Sequence, residues 1–135
     1  MVLIDTSAWI FALKKNFNPA IRNRIDRALL EGEVAVNGIV QLELLGGTKT
    51  ENEYQRLKRR LNGLYYIEST KELWDSASEL AFKLRRKGAN IPFTDILIAS
   101  SAMSVNALLI HADSHFEKIA GYFDLKSESL VKIAS

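Results

Sequence analysis

The chain has 135 residues, 47% of them hydrophobic and 25% charged, with a net charge of +2, the size and balance of one ordinary globular domain spanning residues 1–135. There is no cysteine, which excludes disulfides, thiolate zinc sites and a cysteine nucleophile and fits a reducing cytoplasm. The small net charge permits nucleic-acid binding without arguing for it, no apolar run approaches the roughly 20 residues of a membrane span, and Met1-Val2-Leu3-Ile4 meets Asp5 too soon for a leader peptide.

In chain order, Val2 to Ile4 reads as a short buried strand, followed by a helix through Leu13 that Thr6 or Ser7 can cap. Asn18-Pro19 is a strong helix start, Ile21, Ile25, Ala28 and Leu29 repeat at helical spacing, and Gly32 ends that helix. Val34 to Val36 is a second strand, and Ile39 to Leu45 a short helix ended by Gly46-Gly47. Glu51 to Leu61 is helical, with Tyr54, Leu57 and Leu61 on one face, and Tyr65 to Ile67 is a third strand. Lys71 to Lys87 is a long helix carrying Trp74, Ala77, Leu80, Ala81 and Leu84 inward, with Gly88 as its stop. Thr94 is expected to cap the helix Asp95 to Met103. Ala107 to Ile110 is a fourth strand, and Phe123 to Leu125 is the candidate for a short fifth. Strands alternating with helices imply a parallel sheet covered on both faces, with ligands bound beyond the carboxyl ends of strands where the strand order reverses.

Four acids stand at or within apolar segments, where an unpaired carboxylate is costly to bury. Asp5 closes Val2-Leu3-Ile4. Glu43 lies inside Ile39-Val40-Gln41-Leu42-Glu43-Leu44-Leu45. Asp95 opens Ile96-Leu97-Ile98-Ala99, and Asp113 follows Ala107-Leu108-Leu109-Ile110. A spread set of carboxylates gathered by folding is what Mg²⁺ or Mn²⁺ needs, because those ions prefer oxygen ligands. Three of the acids also have a plainer reading, while Glu43, apolar on both sides, has the weakest one. Asp5 and Asp113 can cap helices, and Asp95 can sit where a helix dipole favours negative charge.

Leu3-Ile4-Asp5-Thr6-Ser7, Val40-Gln41-Leu42-Glu43, the run Gly88 to Ala99 and the run Leu108 to Phe116 together resemble the PIN-domain family, in particular VapC-type ribonuclease toxins. The resemblance implies a three-layer α/β/α fold with a central parallel sheet of four to five strands, its first and fourth strands adjacent. Asp5 and Asp113 would then flank the switch point, with Asp95 and Glu43 facing the same cleft. It also implies an endoribonuclease using Mg²⁺ or Mn²⁺, cleavage to a 3′-hydroxyl and a 5′-phosphate, a homodimer, and a small VapB-like antitoxin that obstructs the acidic cleft. On this reading Asp5, Asp95 and Asp113 bind metal, and Glu43 binds it directly or through water and orients the attacking hydroxide. Thr6, Ser7 and Thr94 support them by hydrogen bonds. The departures from the family pattern are His111, where a small hydroxyl residue is usual, and His115, where many members carry a further Asp.

The two histidines have a His-x-x-x-His spacing, which binds zinc when both lie on one helix. Here His111 ends a strand, so the spacing reads as coincidental; His115 can contact phosphate or stand in for a missing acid, and its plainer reading is a surface histidine. Lys14 and Lys15, near the Asp5 edge, are the better candidates for RNA phosphates. The clusters Arg56, Lys58, Arg59, Arg60 and Lys83, Arg85, Arg86, Lys87 fit a solvated face and a helix C-terminus. Trp9 and Phe11 read as core or interface aromatics. Two other classes compete. One is a PIN fold that binds RNA or a partner without turnover. The other is a phosphoaccepting receiver domain, which needs an Asp after the third strand where this chain has Glu68-Ser69.

Overall fold

The computed structural model describes residues 1–14 and 18–134. The chain runs β1 (Val2–Ile4), α1 (Thr6–Leu13), α2 (Pro19–Glu31), β2 (Val34–Asn37), α3 (Gly38–Gly46), α4 (Glu51–Asn62), β3 (Tyr65–Ile67), α5 (Lys71–Arg86), α6 (Phe93–Ser104), β4 (Leu108–His111), α7 (Ser114–Tyr122), β5 (Ser127–Ser129) and α8 (Val131–Ala134). The five strands form one parallel sheet in the order β3-β2-β1-β4-β5. Helices cover both faces, giving three α/β/α layers. The reversal of order falls between β1 and β4, which pair in the register Val2↔Leu108, Leu3↔Leu109 and Ile4↔Ile110. That order differs from the 2-1-3-4-5 of receiver domains, and β3 is an edge strand rather than the central one.

Local signals explain most element boundaries. Asn18 Oδ1 accepts the Ala20 and Ile21 amides at 3.1 and 3.2 Å, Pro19 opens α2, and Gly32 closes it at φ +84°, a left-handed conformation open to glycine. Thr70 Oγ1 accepts the Leu73 amide at 3.1 Å to start α5. The interior strands carry Leu3, Ile4, Val34, Ala35, Val36, Leu109 and Ile110, all buried, and Trp9 and Phe116 fill the core beside them.

The structure corrects several expectations. The fifth strand is Ser127–Ser129, not Phe123 to Leu125; it pairs with β4 through its backbone, and Phe123 instead ends α7. Trp74 is 51% exposed, and Leu73 takes the inward position with Ala77, Leu80 and Leu84. Thr94 does not cap α6, which starts earlier, at Phe93 after Pro92, with no side-chain cap. Asp5 itself, rather than Thr6 or Ser7, caps α1. Lys14 is exposed beyond α1, whereas Lys15 lies outside the described residues. Among the described residues no helix is long and apolar enough to cross a membrane.

Candidate functional site

Asp5 leaves the carboxyl end of β1, and its neighbour strand β4 delivers His111, Ala112 and Asp113 beside it. The Asp5 amide donates to Ile110 O at 2.9 Å, which locks the two strand ends together. Asp5 is 3% exposed. Its Oδ2 accepts the Ser7 amide at 2.9 Å and the Ser7 hydroxyl at 2.5 Å. Ser7 Oγ in turn accepts the Ala112 amide at 2.9 Å, so one hydroxyl ties Asp5 to the loop after β4. Burial pushes the Asp5 carboxyl up to about 6 despite the Ser7 hydrogen bonds, and the nearby charges of Asp95 and Glu43 push it in the same direction.

Asp95 stands in the first turn of α6, half-buried. Its carboxyl is also raised, mainly by burial; the hydrogen bond from His115 opposes the rise, and the charges of Asp113 and Glu43 add to it. Asp113 caps α7 by accepting the His115 amide at 2.9 Å. His115 Nδ1 lies 2.9 Å from Asp95 Oδ2 and 3.1 Å from Asp113 Oδ1, so the ring bridges the two carboxylates. His115 is therefore not the free surface residue expected. Glu43 sits on an exposed face of α3, where its Oε1 accepts the Thr6 hydroxyl at 2.9 Å. Thr94 is exposed and makes no such link.

His111 ends β4 as expected but is fully buried. Its Nδ1 accepts the Asp113 amide at 3.3 Å, which puts the ring hydrogen on Nε2, and its ring packs on Phe116 at 5.1 Å between centroids. Burial lowers its pKa and keeps the ring neutral. The His111–His115 pair does not form a zinc site, because the rings serve different neighbours.

The structure thus gathers the four acids around the carboxyl edge of β1 and β4: the charges of Asp95 and Glu43 reach Asp5, and those of Asp113 and Glu43 reach Asp95. The tightest grouping is Asp95, Asp113 and His115, with one donor atom from each within 4.8 Å of the others. This donor set suits a divalent ion. The carboxylates repel one another, burial disfavours the ionisation of Asp95, and a cation answers both penalties. His115 was the member hardest to read from the residues alone; the available signals were its place two residues after Asp113 and the further Asp that many family members carry there.

A parallel sheet whose order reverses beside a cluster of carboxylates defines the nuclease-like α/β class to which the comparisons also lead. The chain belongs to the PIN domain family, which matches residues 2–122. It is 29% identical to ribonuclease VapC11 of Mycobacterium tuberculosis over 96% of this chain and 98% of that protein. It is 31% identical to ribonuclease VapC51 of the same organism over 87% of this chain and 84% of the relative. In structure it is similar to VapBC2 from Rickettsia felis bound to a promoter DNA fragment, with a TM-score of 0.77, 27% identity and coverage of 96% and 98%.

Proposed function

We propose that this chain acts as one PIN domain, a divalent-metal-dependent endoribonuclease that is the toxin of a type II toxin–antitoxin pair. The carrying observation is the convergence of Asp5, Asp95, Asp113 and Glu43 at the switch point between β1 and β4. The VapC relatives, matched over nearly the whole chain, support the same activity. Asp5, Asp95 and Asp113 would hold Mg²⁺ or Mn²⁺, which when bound would supply Lewis acidity and an activated water.

The rest is done by the protein's own groups. Ser7 fixes the Asp5 carboxylate and keeps the ends of β1 and β4 in register. Thr6 holds Glu43 so that its free oxygen can accept a proton from the attacking water. The water oxygen bonds to phosphorus as the bond to the 3′-oxygen breaks, the leaving 3′-oxygen takes a proton from solvent, and the products carry a 3′-hydroxyl and a 5′-phosphate. Lys14 is exposed past the end of α1, which supports its assignment to RNA phosphate. The partners are RNA, a VapB-like antitoxin and a second copy of this chain, in the cytoplasm.

The test is to incubate the purified chain with total RNA in Mg²⁺ or Mn²⁺, and in EDTA. Fragments with 5′-phosphate ends, formed only with metal, are expected. Intact RNA under every condition would leave a binding module without turnover as the better reading.

A further inference from the structure

Two carboxylates of the acidic cleft meet at one atom, His115 Nδ1, which lies 2.9 Å from Asp95 Oδ2 and 3.1 Å from Asp113 Oδ1. Around a small divalent ion in octahedral geometry, bonds of about 2.0–2.1 Å put neighbouring ligand atoms about 3 Å apart. Both separations from Nδ1 match that spacing, and one donor atom from each of the three residues lies within 4.8 Å of the others. The backbone holds the arrangement, since the His115 amide is the one that Asp113 caps. The ring is about a third exposed and borders the cleft beside Asp95 and Asp113.

We propose that His115 Nδ1 is a direct metal ligand, completing with Asp95 and Asp113 a mixed nitrogen–oxygen centre that prefers Mn²⁺ to Mg²⁺. The proposal rests on the metal-dependent reading above and specifies which metal it uses. Imidazole nitrogen suits first-row transition ions, whereas Mg²⁺ holds to oxygen. Charge points the same way. Two carboxylates and a neutral imidazole balance one divalent cation, while a third carboxylate in that position would leave surplus negative charge beside Asp5 and Glu43. In the neutral ring the hydrogen moves to Nε2 and the Nδ1 lone pair faces the ion.

The experiment uses the full chain stripped with EDTA, then loaded with Mn²⁺ and examined by electron spin-echo envelope modulation. Wild type is compared with chain labelled with ¹⁵N-histidine and with the His115→Ala and His115→Asp variants. A histidine nitrogen coupling in wild type, changed by the label and lost in both variants, is expected. Calorimetric titration should show Mn²⁺ affinity falling in His115→Ala by at least the roughly 10–100-fold that loss of a merely supporting group costs, with a smaller change for Mg²⁺. The label in wild type needs no variant, so misfolding cannot blur the result. Mn²⁺ bound without histidine coupling, or with coupling that survives in His115→Ala, overturns the proposal and leaves the carboxylate centre standing. Mn²⁺ and Mg²⁺ that fail to bind wild type, or bind Asp95→Asn and Asp113→Asn equally well, overturn the metal-dependent reading as well.

Discussion

The Ser7 hydroxyl donates to the Asp5 carboxylate at 2.5 Å and accepts the Ala112 amide at 2.9 Å, joining the two strand ends that frame the cleft. Ser7→Ala should leave the Ala112 amide without this partner and remove a hydrogen bond to a charged group. The expected loss is about 1–3 kcal/mol of stability, read by urea denaturation of the metal-free protein at neutral pH. Unchanged stability would mean that strand pairing alone sets the edge.

Asp5 titrates at about 6 in the folded chain against an ordinary 3.8. Between those values the folded state binds the extra proton, so metal-free stability should fall as pH rises through this window and then level off. Asp5→Asn keeps a capping oxygen for the Ser7 amide and removes the titration. It should flatten the profile and gain up to about 3 kcal/mol at neutral pH without metal. Thermal unfolding across pH checks both, and a parallel slope in the variant would assign the dependence to another group.

Thr6 and Thr94 should separate cleanly. Thr6 holds Glu43 at 2.9 Å, whereas Thr94 is exposed and caps nothing. Thr6→Val should slow RNA cleavage about fivefold, the rate equivalent of about 1 kcal/mol, and Thr94→Val should leave it unchanged. Single-turnover rates in Mn²⁺ give the comparison.

The contrast between those two threonines marks where the sequence was legible. Asn18-Pro19 and Gly32 bound α2 as read, because a cap, a proline and a left-handed glycine act locally. The four acids drew notice as carboxylates beside apolar runs standing in the order of the PIN family; full burial bears out that conflict for Asp5 alone, since Glu43 lies on an exposed face of α3. Thr94 misled because a Thr-Asp pair looks like a helix start, while Pro92 starts the helix sooner. Trp74 misled because its size suggested the core; the stripe Leu73, Ala77, Leu80 and Leu84 fills that face without it. Strand β5 has no apolar pattern, since Ser127, Glu128 and Ser129 pair at a sheet edge by backbone alone. The bridge from His115 to Asp95 joins residues on two helices, which spacing along the chain cannot reveal.

The antitoxin should reach the same cleft. A metal-free cluster of carboxylates attracts a cation, and arginine pairs with carboxylates bidentately. A cognate antitoxin is expected to place an Arg or Lys near Asp5, Glu43, Asp95 and Asp113. Its affinity for an Asp5→Ala, Asp95→Ala double variant should be weaker and less salt-dependent than for wild type. Identical affinity and salt dependence would assign inhibition to cover elsewhere on the surface.

The most direct measurement is RNA cleavage by Asp5→Asn, Asp95→Asn and Asp113→Asn, each shown by circular dichroism to be folded, beside wild type in Mn²⁺, in EDTA, and after Mn²⁺ is restored. Wild type should cleave only with metal and recover on its return, and each variant should lose at least about a hundredfold in rate, the loss of several kcal/mol of transition-state stabilisation. Wild-type rates in all three variants, or cleavage that survives EDTA, would contradict a carboxylate-held metal as the source of activity.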